Sequence, residues 1–249
     1  MKRVPLCIVL LVLLLSTLGA RAPTAHAATW IVTKTADTSD GSCTAGDCSL
    51  REAIAAAGAG DTITFALAYP ATITLTLGEL SINQTLTVDG PGASSLTVSG
   101  GGASRVFAVR GGQVTIQDMA LSQGSADSGG AIYVSGAATT LTLSGVRITN
   151  NSATYGGGVY VESGSLTLSS GRIADNTATG GGGIFVLQGS AALSGGEIAA
   201  NAAFAGGGVY TEGGAITVSG TTISGNQASF AGGGAAVSLP GASLVQNGG

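Results

Sequence analysis

The stretch NSATYGGG, from Asn151 to Gly158, returns as NTATGGGG from Asn176 to Gly183, as NAAFAGGG from Asn201 to Gly208 and as NQASFAGGG from Asn226 to Gly234. The four asparagines stand twenty-five residues apart, and Ile148, Ile173, Ile198 and Ile223 precede them in the same step. A period of this size is one supersecondary unit stacked on copies of itself. Between the glycine triplet and the next asparagine lie short apolar runs such as Val159-Tyr160-Val161, Leu166-Thr167-Leu168 and Arg172-Ile173. Most alternate with period two, the strand signature. None is long enough for a helix, and Gly or Ser-Gly breaks separate them.

The chain therefore reads as an all-β solenoid, a single-stranded parallel β-helix with three short strands per coil. Coils lie about 4.8 Å apart, the ordinary strand spacing, so each side chain sits on its counterpart one coil away. Leu143, Leu168, Leu193 and Val218 are expected to stack inside, with the four isoleucines. One coil buries too little apolar surface to offset an ordering entropy of roughly 1–2 kcal/mol per residue, so stacking is obligatory. Asn151, Asn176, Asn201 and Asn226 read as a structural ladder, placed at left-handed turn positions and hydrogen-bonded coil to coil. Gly124 occupies the equivalent slot upstream. The glycine triplets supply turns and close coil contact. They are no phosphate cradle, because no helix follows them.

Residues 1–27 read as a secretory signal: Lys2 and Arg3, an apolar stretch from Leu6 to Leu18, and the small-x-small site Ala25-His26-Ala27. Its removal takes away three of the nine basic residues and the single histidine, leaving 6 basic against 13 acidic, a net charge near −7. That balance excludes nucleic acid and an anionic membrane surface as partners. Cys43 and Cys48 remain in an exported chain and are expected to form a local disulfide. A reactive thiol pair is the alternative, although the spacing is not the redox-type C-x-x-C.

Residues 28–60 read as an N-terminal cap and 61–249 as the solenoid. Within the cap, Ser49-Leu50-Arg51-Glu52-Ala53-Ile54 opens a short helix over 49–57. Ser49 and Glu52 form a capping box, and Gly58 is the expected stop. Such a helix would shield the first coil's apolar interior and strand edge from water.

CSLREAI, Cys48 to Ile54, resembles the signature of the CSLREA N-terminal domain of bacterial secreted and surface proteins. Trp30-Ile31-Val32-Thr33, Asp61-Thr62-Ile63-Thr64-Phe65 and Leu86-Thr87-Val88-Asp89-Gly90-Pro91-Gly92 resemble its flanking segments. The later repeats resemble those of right-handed parallel β-helices in pectate-lyase-like and polymorphic outer-membrane proteins. The resemblance implies export and a right-handed helix, and no reaction. Relatives of this kind often end in an anchoring segment. The chain stops at Gln246-Asn247-Gly248-Gly249, in mid-coil, which reads as a truncated sequence.

The residues expected to bind something are few. Tyr133, Tyr160, Phe185 and Tyr210 follow inward-pointing residues and are expected to form an outward aromatic column, able to stack on sugar rings or a protein. The alternative is that they only stack on each other. Thr142, Thr167, Ala192 and Thr217, with serines beside them, form a hydroxyl column. Arg147, Arg172 and Glu197 read as a surface charge stack. A lyase or hydrolase needs paired carboxylates or calcium carboxylates beside a base. Glu162 and Glu212 share a column but are separated by Leu187, and Asp175 has no acidic neighbour in its column. No catalytic residue is assigned. No cofactor is expected, and Asp37, Asp40 and Asp47 are the only candidates for calcium. The reading is an exported, non-catalytic rod displayed for adhesion, with an extracellular glycan or cell-surface protein as partner. It is expected to be a monomer unless its open C-terminal end pairs, with no membrane insertion of the mature chain. The alternative is a polysaccharide lyase or glycoside hydrolase on the same scaffold.

Overall fold

The computed structural model describes residues 27–237 and 243–246. The signal segment, Cys7 and His26 lie outside the described residues. The chain winds as a right-handed parallel β-solenoid with one short helix. Every strand pairing is parallel, and strands from successive coils lie side by side in four sheets. In the coil from Ser165 onward the first sheet takes Ser165–Leu168, the second Gly171–Ala174, the third Thr177–Gly180 and the fourth Ile184–Val186. The sheets hold nine, seven, five and seven strands in that order.

The four-strand coil departs from the three strands expected per coil. The first two coils do have three, for example Leu86–Asp89, Leu96–Ser99 and Phe107–Val109. From Ser125–Ser128 onward a further strand follows each asparagine position. Apart from Tyr155 and Phe204 its residues are small, and most are exposed or half-exposed, in SATY, TATG and AAFA. They carry no apolar alternation, so the segment looks like a turn in the sequence.

Register holds from coil to coil along the inner columns. Leu141 pairs with Leu166, and Leu143 with Leu168. Ile148 pairs with Ile173, and Ile173 with Ile198. These side chains are fully buried and form one continuous core with Ile132, Val159, Ile184 and Val209. The glycine triplets divide their labour. Gly156, Gly181 and Gly206 have φ of 64, 61 and 61°. The third glycine is needed for closeness: a Cβ at Gly158 would lie 2.6 Å from the carbonyl oxygen of Gly183.

Asn151, Asn176 and Asn201 are buried and Asn226 is half-buried, and none of the four is the left-handed residue. Positive φ falls one position earlier, at Gln123, Asn150, Asp175, Ala200 and Gly225. That turn aims each following asparagine inward. Asn176 donates through Nδ2 to the carbonyls of Ile148 and Ala174 and to Oδ1 of Asn201. Gly124 stands in the equivalent slot and donates its amide to Oδ1 of Asn151 at 2.7 Å.

At the N-terminal end, Thr29–Val32 pairs with Asp61–Phe65 and adds an end strand to the first sheet. Helix α1 spans Leu50–Ala56 with both arms of the capping box formed. It ends on Ala57 in an extended conformation, so Gly58 is not its terminating residue. Leu50, Ala53 and Ile54 are buried in the core. Asp61 fastens the cap by accepting from the Ala28 amide, the Gly58 amide and Trp30 Nε1 at 2.7, 2.7 and 2.9 Å.

Candidate functional site

Each of the four sheets presents an outer face, and the candidate residues distribute over them. On the fourth sheet Tyr133, Tyr160, Phe185 and Tyr210 are in register. Their rings form one stack, with centroids 5.7, 5.2 and 5.1 Å apart along the series. The expected exposure does not hold for its centre: Tyr160 is 7% exposed and Phe185 1%. The third sheet is the reason. Its Tyr155 packs edge-on to Phe185 at 5.1 Å. Gly180 comes so near that a Cβ there would sit 3.1 Å from the Phe185 ring. The column is a small second core in the angle between two sheets. Burial, reinforced by Glu162, pushes the Tyr160 phenol up to about 12.

The end of this column is charged. Arg105 lies 4.9 Å and Arg110 5.8 Å from the Tyr133 ring centroid. Glu79 bridges both arginines, and the Tyr133 hydroxyl donates to Glu162 at 2.8 Å. Burial and Glu162 raise the Tyr133 pKa, so this phenol is a hydrogen-bond donor at neutral pH. Beside it a cleft of about 350 Å³ opens between α1 and the strand Leu80–Ile82. Its two charged residues are engaged: Glu79 with the arginines, and Arg51 with Asp37 and the carbonyls of Gly78 and Glu79.

The calcium candidates separate. Asp37 is bound to Arg51 and to the amides of Thr76 and Leu77. The carboxylates that converge are Asp40, Asp47 and Glu52, with oxygens within 4.8 Å of one another. Lys34 Nζ sits among them, on Asp47 and at 3.7 Å from Asp40 and 3.3 Å from Glu52. An ammonium thus already supplies positive charge to this group. Burial would raise the Glu52 pKa, but the Ser49 amide, the Thr38 hydroxyl, the Asp40 amide and Lys34 outweigh it and hold it at about 2. Cys43 and Cys48 form a disulfide, closing the loop around this cluster.

One exposed aromatic pair has no counterpart among the columns expected from the sequence. Phe204 and Phe230, 52% and 75% exposed, stack with centroids 5.0 Å apart on the third sheet. The signal was present: the triplet at 232–234 follows the one at 206–208 by one residue more than the asparagine step. That extra residue is a register shift between Thr-poor strands Ala202–Ala205 and Gln227–Ala231, and it sets Phe230 against Phe204. The hydroxyl column of the first sheet is also longer than the repeats alone show. Thr29, Thr62, Thr87, Thr115, Thr142, Thr167, Ala192 and Thr217 are in continuous register.

On the second sheet Ala120, Arg147, Arg172 and Glu197 follow one another. Arg172 donates to Glu197 at 2.9 Å, as the charge stack requires, and to Asp175 at 3.4 Å. The profile of a family described as "Right handed beta helix region" matches residues 85–247. No curated protein and no solved structure gives a match.

Proposed function

The chain belongs to the right-handed β-helix family, and on that premise we propose that it is an exported, non-catalytic rod that binds an extracellular glycan or cell-surface protein through repeated side-chain columns. The observation that supports this most is the register itself. A rigid core fixes outward side chains at one strand spacing, so a repeating partner meets the same group at each step. Weak contacts then add through multivalency. The columns available for this are the hydroxyl column of the first sheet and the polar face of the second, since the aromatic column is largely enclosed.

Export is supported by the signal-like residues 1–27, by the CSLREA-like segment and by the disulfide. Among the described residues no helix is long and apolar enough to cross a membrane. The same fold carries polysaccharide lyases and hydrolases, which is the rival reading. Glu79 beside Arg105, Arg110 and Tyr133 is the cluster that favours it.

A glycan array probed with the secreted protein, run beside a reducing-end assay on the glycans bound, tests both. Retention without product release supports the rod. Product release that is lost in Tyr133→Phe or Arg110→Gln supports the enzyme. Absence of binding to every glycan and to whole cells removes the adhesive reading.

A further inference from the structure

The second sheet's outer face carries a groove of about 400 Å³ lined by Arg147 and Arg172, with Thr97, Ser122, Thr149 and Asn150 among its polar walls. Such a volume accepts one or two sugar rings. Arg147 is the distinctive member. Among the described residues Lys34, Arg51, Arg105, Arg110 and Arg172 each have a carboxylate partner, and Arg147 has none. Its one side-chain hydrogen bond among the described residues sends Nη2 to the carbonyl of Ala93 at 2.9 Å. Ala120, its register partner one coil earlier, is too small to obstruct that path.

Arg172 stands in register one coil later, and two guanidinium groups at one strand spacing repel. Glu197 and Asp175 compensate Arg172. Among the described residues no carboxylate bonds Arg147 directly, while the two carboxylates on Arg172 balance the overall charge of the groove. The free guanidinium edge of Arg147 fits a planar carboxylate through two parallel hydrogen bonds. The surrounding hydroxyls and amide suit sugar hydroxyls. Asp175 at the rim disfavours a ligand carrying more than one negative charge.

We infer that this groove is a site for a single carboxylated sugar at the end of an extracellular glycan, with Arg147 as the residue that selects the carboxylate. The site rests on the glycan-binding reading above and specifies its ligand class.

The test measures Kd for a sialic-acid-terminated and a glucuronate-terminated oligosaccharide, for their carboxyl-reduced counterparts and for a sulfated analogue. Wild type, Arg147→Gln and Arg147→Lys are compared. Wild type should bind at least one carboxylated probe. Carboxyl reduction and Arg147→Gln should each weaken it about tenfold or more, the scale of a charge-assisted bidentate contact. Arg147→Lys should recover only part of that loss. Because Arg147 is exposed, the Gln variant should melt with wild type. Equal binding of acidic and reduced glycans overturns the carboxylate site while leaving a glycan-binding rod. So does undiminished binding in Arg147→Gln, or a preference for the sulfated probe. Failure of wild type to bind any of these probes overturns the carboxylate site, and the glycan-binding reading falls with it only if the glycan array is blank as well.

Discussion

Asn151 donates both its backbone amide and its side-chain Nδ2 to a single atom, Oδ1 of Asn176, at 3.0 and 2.9 Å. The same pair of bonds joins Asn176 to Asn201 and Asn201 to Asn226. The ladder is thus a set of linked polar groups inside the tube, and each member satisfies its neighbour. Low local dielectric strengthens such bonds, and makes an incomplete ladder costly.

Asn176→Ala should therefore destabilise the solenoid by about 3 kcal/mol, since buried groups of Asn151 and the Ile148 carbonyl lose partners worth roughly 1–3 kcal/mol each. Asn176→Asp keeps the shape but points an acceptor at three oxygens. At neutral pH it should be worse than the alanine variant. Chemical denaturation of the three proteins checks the order, and an aspartate variant as stable as wild type would show the ladder to be dispensable.

Gly183 takes the amide–carbonyl contact with Gly207 and Gly208 of the next coil, and a Cβ there would stand 2.5 Å from the Gly208 oxygen. That oxygen accepts from Gly183 itself and cannot retreat without loosening the coil. Gly183→Ala should cost about 3 kcal/mol, at the upper end for overpacking. Gly60→Ala, where the space is open but φ is 91°, tests backbone strain alone and should cost less. Thermal melts of the two variants should separate clearly.

The sequence disclosed the tube because its inner columns repeat in both spacing and chemistry, as Ile148, Ile173 and Ile198 do. It disclosed the capping box for the same reason: Ser49 and Glu52 need only local geometry. It did not disclose which outer residues meet solvent. Phe185 and Phe204 are alike on the page, both apolar and both in short strands. Their difference lies in the third sheet, which turns back over one and carries the other on its far side. The cluster of Asp40, Asp47, Glu52 and Lys34 likewise comes from a fold of the cap loop that no spacing encodes.

That contrast gives a direct comparison of two phenylalanines. Phe185→Ala should lose about 3–5 kcal/mol, as for a buried aromatic. Phe230→Ala, at an exposed position, should stay within about 0.5 kcal/mol. Denaturant midpoints at constant m-value provide the comparison. Equal losses would mean that the third sheet does not cover the aromatic column in solution.

The cap should be acid-sensitive while the tube is not. Glu52 titrates near 2 in the folded chain against an ordinary value of 4.5. A depressed carboxylate contributes stability that is complete above its unfolded value and is lost as the pH falls through the folded one. The window for Glu52 is therefore from about 4.5 down to about 2. Asp37 acts in the same direction: burial opposes it, but Arg51 and the Leu77 and Thr76 amides prevail. Asp61 does too, through Trp30 and the amides of Ala28 and Gly58. Glu52 holds the cap together internally through Thr38, Asp40 and Ser49, Asp37 and Asp61 fasten it to the first coil, and the ladder that spans later coils is made of amides that do not titrate. Trp30 is the only tryptophan in the chain, and its indole bonds Asp61, so its fluorescence reports the cap. On acidification across that window the fluorescence midpoint should fall well before the far-ultraviolet circular dichroism of the tube. Glu52→Gln should start from lower stability at neutral pH and show a shallower pH dependence. Coincident fluorescence and dichroism transitions at every pH would mean that cap and tube unfold as one unit, and that these carboxylates do not hold the cap separately.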